Sequence, residues 1–222
     1  MSDILEVMKR RHSVRQYTDR KIEGEVLSSL REEINRINEE SGLNFQLVLD
    51  EPRAFSGKRA SYGKFSGVRN YVALVGKKGA DLDEKCGYYG ERLVMFAHGL
   101  GLHTCWVAAT YDRIDGAFEV RGGEKLTVVI SIGYGRNRGL ARPSKTAVAV
   151  SNACENSPEW FLRGVRAALL APTAMNQQNF RFTYLSGKVK ARAGIGFYTK
   201  MDLGIAKYHF ELGAGKENFE WV

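Results

Sequence analysis

Ala171-Pro172-Thr173-Ala174-Met175-Asn176-Gln177-Gln178-Asn179-Phe180 lies between two periodic signals. Upstream, Ser157-Pro158 reads as an N-cap followed by proline at the first helical position. Phe161, Leu162, Val165, Ala168 and Leu169 then recur at helical spacing. Downstream, Phe180, Phe182 and Tyr184 alternate with Arg181 and Thr183, as a half-buried strand requires. A helix is therefore expected to stop at Pro172 and a strand to start near Phe180. Between them stand a hydroxyl and four consecutive side-chain amides, each offering both a donor and an acceptor. Such a loop suits a ligand whose edge alternates donors and acceptors. Alone, it reads more simply as a solvated connection, the usual fate of a polar loop.

The whole chain sets bounds on that choice. A length of 222 residues allows one large domain or two small ones. An apolar fraction of 44% with 11% aromatics supplies a core and argues against disorder. No apolar run reaches membrane-span length, and the first residues carry no apolar signal-peptide core. Cys86, Cys105 and Cys154 are odd in number and widely spaced, which fits a reducing cytoplasm. The net charge of +8 suits phosphate-bearing ligands or nucleic acid, although a basic solvated surface is its commoner reason.

Taken in order, Asp3 to Arg10 reads as a short amphipathic helix. Arg10-Arg11-His12-Ser13-Val14-Arg15-Gln16-Tyr17 follows, with three arginines, a histidine and a hydroxyl in six residues. Arginine forks match phosphate oxygens bidentately and Ser adds a short donor, so this cluster is a phosphate-clamp candidate. It is also compatible with a charged helix end. Glu23 to Ile37 is a second helix, Leu43 to Leu49 a strand, and Pro52 to Phe65 a polar basic loop, either lid or surface. Asn70 to Val75 is a β-branched strand. The helix from Cys86-Gly87 to Leu100-Gly101 is apolar around much of its circumference, and Gly99 and Gly101 are expected to end it in a left-handed turn. Thr104 to Ala109 and Leu126 to Tyr134 are strands, the latter buried on both faces. Gly135 to Lys145 is a basic, glycine-rich loop, and Met201 to Leu212 a final helix.

Several chemistries find no support in the sequence. Gly213-Ala214-Gly215-Lys216-Glu217 lacks the first Gly of a P-loop and the Ser or Thr after Lys216. Gly133-Tyr134-Gly135 lacks the third Gly of a dinucleotide fingerprint. There is no G-x-S-x-G, and His98 and His103 do not share a metal-ligand spacing. Cys105, in an apolar strand, reads as a packed thiol.

A faint repeat runs through the chain. Val26, Leu27, Leu30 and Ile34 overlay Phe161, Leu162, Val165 and Leu169, and Asn44-Phe45 then overlays Asn179-Phe180. The Gly87 helix has a shorter echo from Gly204. The arginine cluster precedes only the first copy, and the Pro-Thr/Asn-x-Gln pattern follows only the second.

Arg11-His12-Ser13-Val14-Arg15 resembles the basic N-terminal motif of the flavin nitroreductase family. Ala171 to Gln178 resembles that family's A-P-S-x-x-N-x-Q-P loop, although Asn179 replaces the final proline. Gly87 to Trp106 is similar to the family's central helix and next strand, and Gly133 to Lys145 to its late glycine-tyrosine turn and basic segment. The resemblance implies an α+β fold with a mixed, mainly antiparallel central sheet packed by helices. Ordinary members are homodimers in which one subunit supplies the arginines and the other the A-P-S loop. Both motifs lie here in one chain, which implies an internal pseudo-two-fold duplication: residues 1–150 as a first half and 151–222 as a shortened second half, packed into one compact unit. The implied activity is an FMN-containing, cytoplasmic NAD(P)H oxidoreductase passing electrons to a nitroaromatic, quinone or similar small-molecule acceptor, as a monomer, without nucleic acid or membrane. Arg11, Ser13 and Arg15, with His12 and with Arg142 or Lys145 assisting, are assigned to the FMN phosphate. Pro172, Thr173, Asn176 and Gln178 are assigned to the isoalloxazine edge. No catalytic acid, base or metal ligand is named. The alternatives are a flavin-binding or sensing protein without turnover, and a basic nucleic-acid-binding domain.

Overall fold

The computed structural model describes residues 4–222; Asp3, the expected start of the first helix, lies outside them. The described chain divides into two compact units, each drawing on separate stretches of sequence.

One unit holds Arg11–Leu82 and Arg92–Leu140. Its sheet is formed by β1 (Asn44–Val48), β2 (Tyr71–Lys77), β3 (His103–Val107) and β4 (Glu124–Gly133) in the order β1-β2-β4-β3, every pair antiparallel. Val72, Ala73, Leu74 and Val75 are all fully buried, as is the run from Val128 to Gly133, so the central strands are covered on both faces. Helix α2 (Gly24–Ser41) ends at Gly42, whose φ of 69° lets its N–H reach Asn38 O at 2.8 Å. The Asn38 side chain then clamps the start of β1, accepting from Phe45 N–H at 2.7 Å and donating to Phe45 O at 2.9 Å. Pro52 to Phe65 is not the open polar loop expected. It contains a 3₁₀ turn (Pro52–Phe55) and helix α3 (Lys58–Tyr62), and it buries Ala54, Phe55, Ala60 and Phe65 in the core. The sequence hides this because cations on the outer face separate the four inward residues.

The other unit holds α1 (Ile4–Arg10), Asp83–Glu91 and Ala141–Val222. Helix α4 (Leu82–Gly99) thus gives its first half to this unit and its second half to the other. The left-handed turn after it is at Gly101, φ 79°, and not at Gly99. After α5 (Ala147–Val150), α6 (Glu159–Ala168) packs on α7 (Thr199–Ala214). The start of α6 lies one residue later than expected: Pro158 is the cap, and the Ser157 hydroxyl instead accepts from Cys154 N–H. A three-stranded sheet runs β5 (Phe180–Leu185), β6 (Lys188–Ala193), β7 (Glu220–Trp221), with β5 and β6 antiparallel and β6 and β7 parallel. The strands form two sheets, of which the four-stranded antiparallel one is the central sheet expected. An aromatic cluster fills this unit, with Phe182 stacked on Phe210 at 4.7 Å and Trp160 on Phe219 at 5.6 Å.

Two glycines set the crossing of α7 with the first half of α4. A Cβ on Gly87 would lie 2.1 Å from Met201 O, and one on Gly204 would lie 1.9 Å from Glu84 O. The backbones are therefore in direct contact, which only glycine permits. Beside them, His209 and Glu91 are wholly buried, with His209 Nε2 2.8 Å from Glu91 Oε1 and Nδ1 3.2 Å from Ala167 O. A carbonyl only accepts, so Nδ1 carries hydrogen, which orients the ring with Nε2 toward the carboxylate.

Candidate functional site

The basic N-terminal segment is threaded through its unit by backbone bonds. Ser13 bridges Thr104 in parallel, and Val14 N–H donates to Thr104 O at 3.0 Å. Ser66 N–H donates to Arg15 O, Tyr17 N–H to Ser66 O, and Thr18 N–H to Tyr134 O. Val14 and Tyr17 point into the core. The Tyr17 O–H donates to Val14 O at 2.7 Å, and burial holds its pKa well above the ordinary tyrosine value. Between these anchors Arg11 is buried, Ser13 half-buried and Arg15 exposed. Burial raises the Cys105 thiol pKa, and Arg15, the Ser13 hydroxyl and Arg11 all oppose that shift. Arg11 is 5% exposed, whereas Arg15 is exposed with its guanidinium 5.9 Å from the Phe65 ring centre. His12 is half-buried, and Gly139 passes so close that a Cβ on it would sit 2.6 Å from His12 Cβ. His103 accepts from Gly135 N–H at 3.2 Å, and burial together with Arg138 lowers its pKa.

The amide loop belongs to the other unit. Helix α6 ends at Ala168, a few residues before Pro172, and a 3₁₀ turn covers Ala174–Asn176. Met175, Asn176 and Gln178 have φ of 50°, 55° and 44°. Left-handed backbone in non-glycine residues is costly and concentrates where a ligand is held. The turn is fixed from every side. Gln178 N–H donates to Thr173 Oγ1 at 3.0 Å, and Ala174 N–H donates to Asp202 Oδ1 at 2.9 Å. Gln178 is 1% exposed; its Oε1 accepts from Lys145 N–H at 2.7 Å, and its amide N–H groups point to Ser144 Oγ and Leu169 O. Asn176 Oδ1 accepts from Arg142 at 2.5 Å while its amide donates to Pro143 O at 2.8 Å. Arg142 also donates to Ala171 O, and Lys145 Nζ to Gln178 O at 3.2 Å. The segment Arg142 to Lys145 is thus the brace of the amide loop. Pro172 is buried beneath the turn, and Thr173 is half-buried.

A family model described as "Putative TM nitroreductase" matches residues 3–214. The chain belongs to this nitroreductase family. Among solved structures, one from Thermotoga maritima, described as a nitroreductase, is 22% identical, with a TM-score of 0.66 over 97% of this chain and 85% of that one. Another from Desulfovibrio desulfuricans, a nitroreductase in complex with FMN, is 15% identical, with a TM-score of 0.50 over 71% of this chain and 98% of that one. These likenesses show the α+β nitroreductase fold. Among curated proteins none matches the chain in sequence.

Within this nitroreductase the structure gathers Arg11, Ser13 and Arg15 in one unit. It gathers Pro172, Thr173, Asn176 and Gln178 with Arg142 and Lys145 in the other. Sequence reasoning missed Asp202. It is 2% exposed in the first turn of α7, and burial pushes its carboxyl up to about 6 against the bonds from Ala174 and Gln177. Its one sequence signal is an acid in an otherwise apolar helical run, which reads more simply as favourable charge near a helix start. Among the described residues no cluster of His, Cys, Asp and Glu could hold a metal, and no helix is long and apolar enough to cross a membrane.

Proposed function

We propose that this nitroreductase is an FMN-dependent oxidoreductase that takes hydride from NADH or NADPH and passes electrons to a nitroaromatic, quinone or similar acceptor. One observation carries the reading: the amide loop that the family motif marks is held in a strained left-handed turn, with its side chains braced and one donor left over. Of the two amide N–H groups of Asn176, one serves Pro143, and the other has no partner among the described residues. That donor suits a heterocycle's carbonyl or ring nitrogen. Arg11 and Arg15, with the Ser13 hydroxyl between them in sequence, suit a phosphate. The donor set therefore fits FMN.

When bound, FMN supplies the hydride and electron chemistry. The chain's own residues have simpler duties. Arg11, Ser13 and Arg15, with His12 beside them, would bind the phosphate. Thr173 and Asn176 would present the ring-edge surface, and Pro172, buried behind them, would shape it. Gln178, Arg142 and Lys145 would keep that surface in shape, since their polar atoms are engaged in the loop itself.

The duplication of residues 1–150 as a shortened copy in 151–222 belongs to the same reading. It is supported by the way Gly87 and Gly204 meet. Gly87 approaches Met201 and Ile205; Gly204 approaches Glu84 and Tyr88. Each glycine meets the residue three before the other and the residue one after it. Such reciprocity is the pattern of a two-fold interface between like subunits. It accords with a monomer in which one chain supplies both motifs. The test is direct: purified protein should be yellow and should bleach with NADH or NADPH, then recolour repeatedly with a quinone. A colourless protein that binds no added FMN would refute the reading. Stable colour without bleaching would favour a flavin-binding protein without turnover.

A further inference from the structure

Asp202 carries a buried carboxylate that no part of the proposed chemistry uses. One oxygen accepts from Ala174 N–H at 2.9 Å and the other from the Gln177 side-chain amide at 2.7 Å. The same Gln177 nitrogen donates to Phe197 O at 2.6 Å. Next to it, Asn179 donates to Ile195 O at 2.6 Å and Gly194 N–H to Asn179 O at 2.7 Å. The amide loop and the turn from Gly194 to Tyr198 are therefore tied together, and Asp202 anchors both to the first turn of α7. That turn needs an anchor. Gly196 and Tyr198 have φ of 154° and 57°, and Ile195 and Phe197 are 97% and 81% exposed, so burial does little to hold it.

We infer that Asp202 is a positioning residue, whose carboxylate fixes the amide loop and, through Gln177, the Phe197 turn as one unit. The inference rests on the reading of the amide loop as the flavin-edge surface. The chemistry of the site selects a carboxylate. Two N–H groups arrive from different directions, and only an acceptor with two oxygens and no hydrogens receives both unchanged. A buried acid is costly unless such bonds compensate it. The elevated carboxyl pKa, near 6 in place of 3.8, shows that here they compensate only in part. A residue chosen for stability alone would be apolar, so the site has kept the polar group at the expense of stability.

Two variants of the full chain separate positioning from packing. Asp202→Leu fills the space but accepts nothing. Asp202→Asn keeps an oxygen for Ala174 N–H, but its own amide N–H groups face the Gln177 nitrogen, and a Gln177 amide turned to accept from them gives up its bond to Phe197 O. Hydrogen exchange of the protein without flavin is read by mass spectrometry over 172–179 and 194–198. FMN affinity is read by quenching of flavin fluorescence. In Asp202→Leu, exchange should rise about tenfold or more in both stretches while β1–β4 stay protected, and FMN should bind about tenfold more weakly, as loss of a charged hydrogen bond implies. Asp202→Asn should lie between wild type and Asp202→Leu in both measurements. A packing role predicts the reverse for leucine: protection retained and flavin held. Wild-type exchange over 172–179 in Asp202→Leu would overturn the inference, as would a rise spread evenly over the whole chain. If the wild-type protein binds no FMN, the flavin reading fails on its own, and the exchange data still decide the role of Asp202.

Discussion

Replacing Gly204 with alanine puts a methyl group where the backbone of α4 already lies. The added Cβ would be 1.9 Å from Glu84 O and 2.7 Å from Tyr88 N. Neither atom can rotate away. Ordinary contact begins near 3.4 Å, so the helices would have to part by roughly 1.5 Å. Three bonds flank the crossing: Tyr88 O–H to Glu211 at 2.5 Å, Lys207 to Glu84 at 2.8 Å, and His209 to Glu91 at 2.8 Å. None survives a displacement of that size, because hydrogen bonds weaken steeply past about 3.2 Å. Overpacking costs about 1–3 kcal/mol, and a backbone clash belongs at the upper end. Alanine returns about 1 kcal/mol of helix propensity. The net loss is therefore about 2 kcal/mol. Loss of the buried His209–Glu91 hydrogen bond would add to it. For a chain of this length 2 kcal/mol lowers Tm by roughly 4–8 °C. Thermal and urea unfolding, followed by circular dichroism, would measure it. Gly99→Ala is the control: a Cβ there meets nothing within 4 Å and the backbone is helical, so it should gain up to about 1 kcal/mol. Equal or greater stability of Gly204→Ala would refute the argument.

Arg11→Ala and Arg15→Ala should each weaken FMN binding about tenfold, since a charge-assisted hydrogen bond is worth roughly 1.5–3 kcal/mol; wild-type affinity in both, by fluorescence titration, would reduce the cluster to a solvated segment. Mixing an Arg11→Ala/Arg15→Ala chain with an Asn176→Ala/Gln178→Ala chain should restore no flavin binding if each chain serves its own flavin, and recovery would show that two chains cooperate. Asp202 gives a pH dependence with a definite sign. Its carboxyl is raised from 3.8 to about 6 in the folded state, so the folded chain holds the proton more tightly. Stability should fall by about 3 kcal/mol as pH rises from about 4 to about 6, and Asp202→Asn should lose this slope; identical urea midpoints against pH for the two proteins would refute it.

What the sequence disclosed follows from where its signals are local. The alternation of Phe180, Phe182 and Tyr184 marked β5, and the largely apolar, β-branched run to Gly133 marked a strand covered on both faces. The amide loop was visible because proline, consecutive amides and a new period meet there. β6 escaped notice because Lys188-Val189-Lys190-Ala191-Arg192-Ala193 buries only Val189. β7 is two residues long and exists only through its pairing with Lys188 and Val189. Arg142 and Lys145 were read as cations in search of an anion; their hydrogens go to Asn176, Ala171 and Gln178, which lie distant in sequence. Asp202 stayed hidden for the same reason, since its partners are supplied by tertiary structure alone. The proposed duplication rests in the sequence on apolar matches and on the echo of the Gly87 helix at Gly204; the close approach of these two glycines has no sequence mark beyond the glycines themselves.

The interleaving of the two units constrains how the chain can be made. A growing chain completes Arg11–Leu82 and Arg92–Leu140 once Leu140 has emerged, and β1–β4 can then pair. At that moment α1 and Asp83–Glu91 have been synthesised but lack the segment that covers them, Ala141–Val222. The first half of α4 must wait with Gly87 and Glu91 uncovered while the second half of the same helix already belongs to a finished unit. Closure comes only when α7 has been made and lays Gly204 against Gly87. Contacts so distant in sequence form slowly, and the waiting segments leave Met8, Cys86 and the Glu91 carboxyl, all buried in the finished fold, without cover. Biosynthesis of this protein therefore has a vulnerable interval between Leu140 and α7, in which a chaperone that holds the exposed half-helix would raise the yield of folded chain.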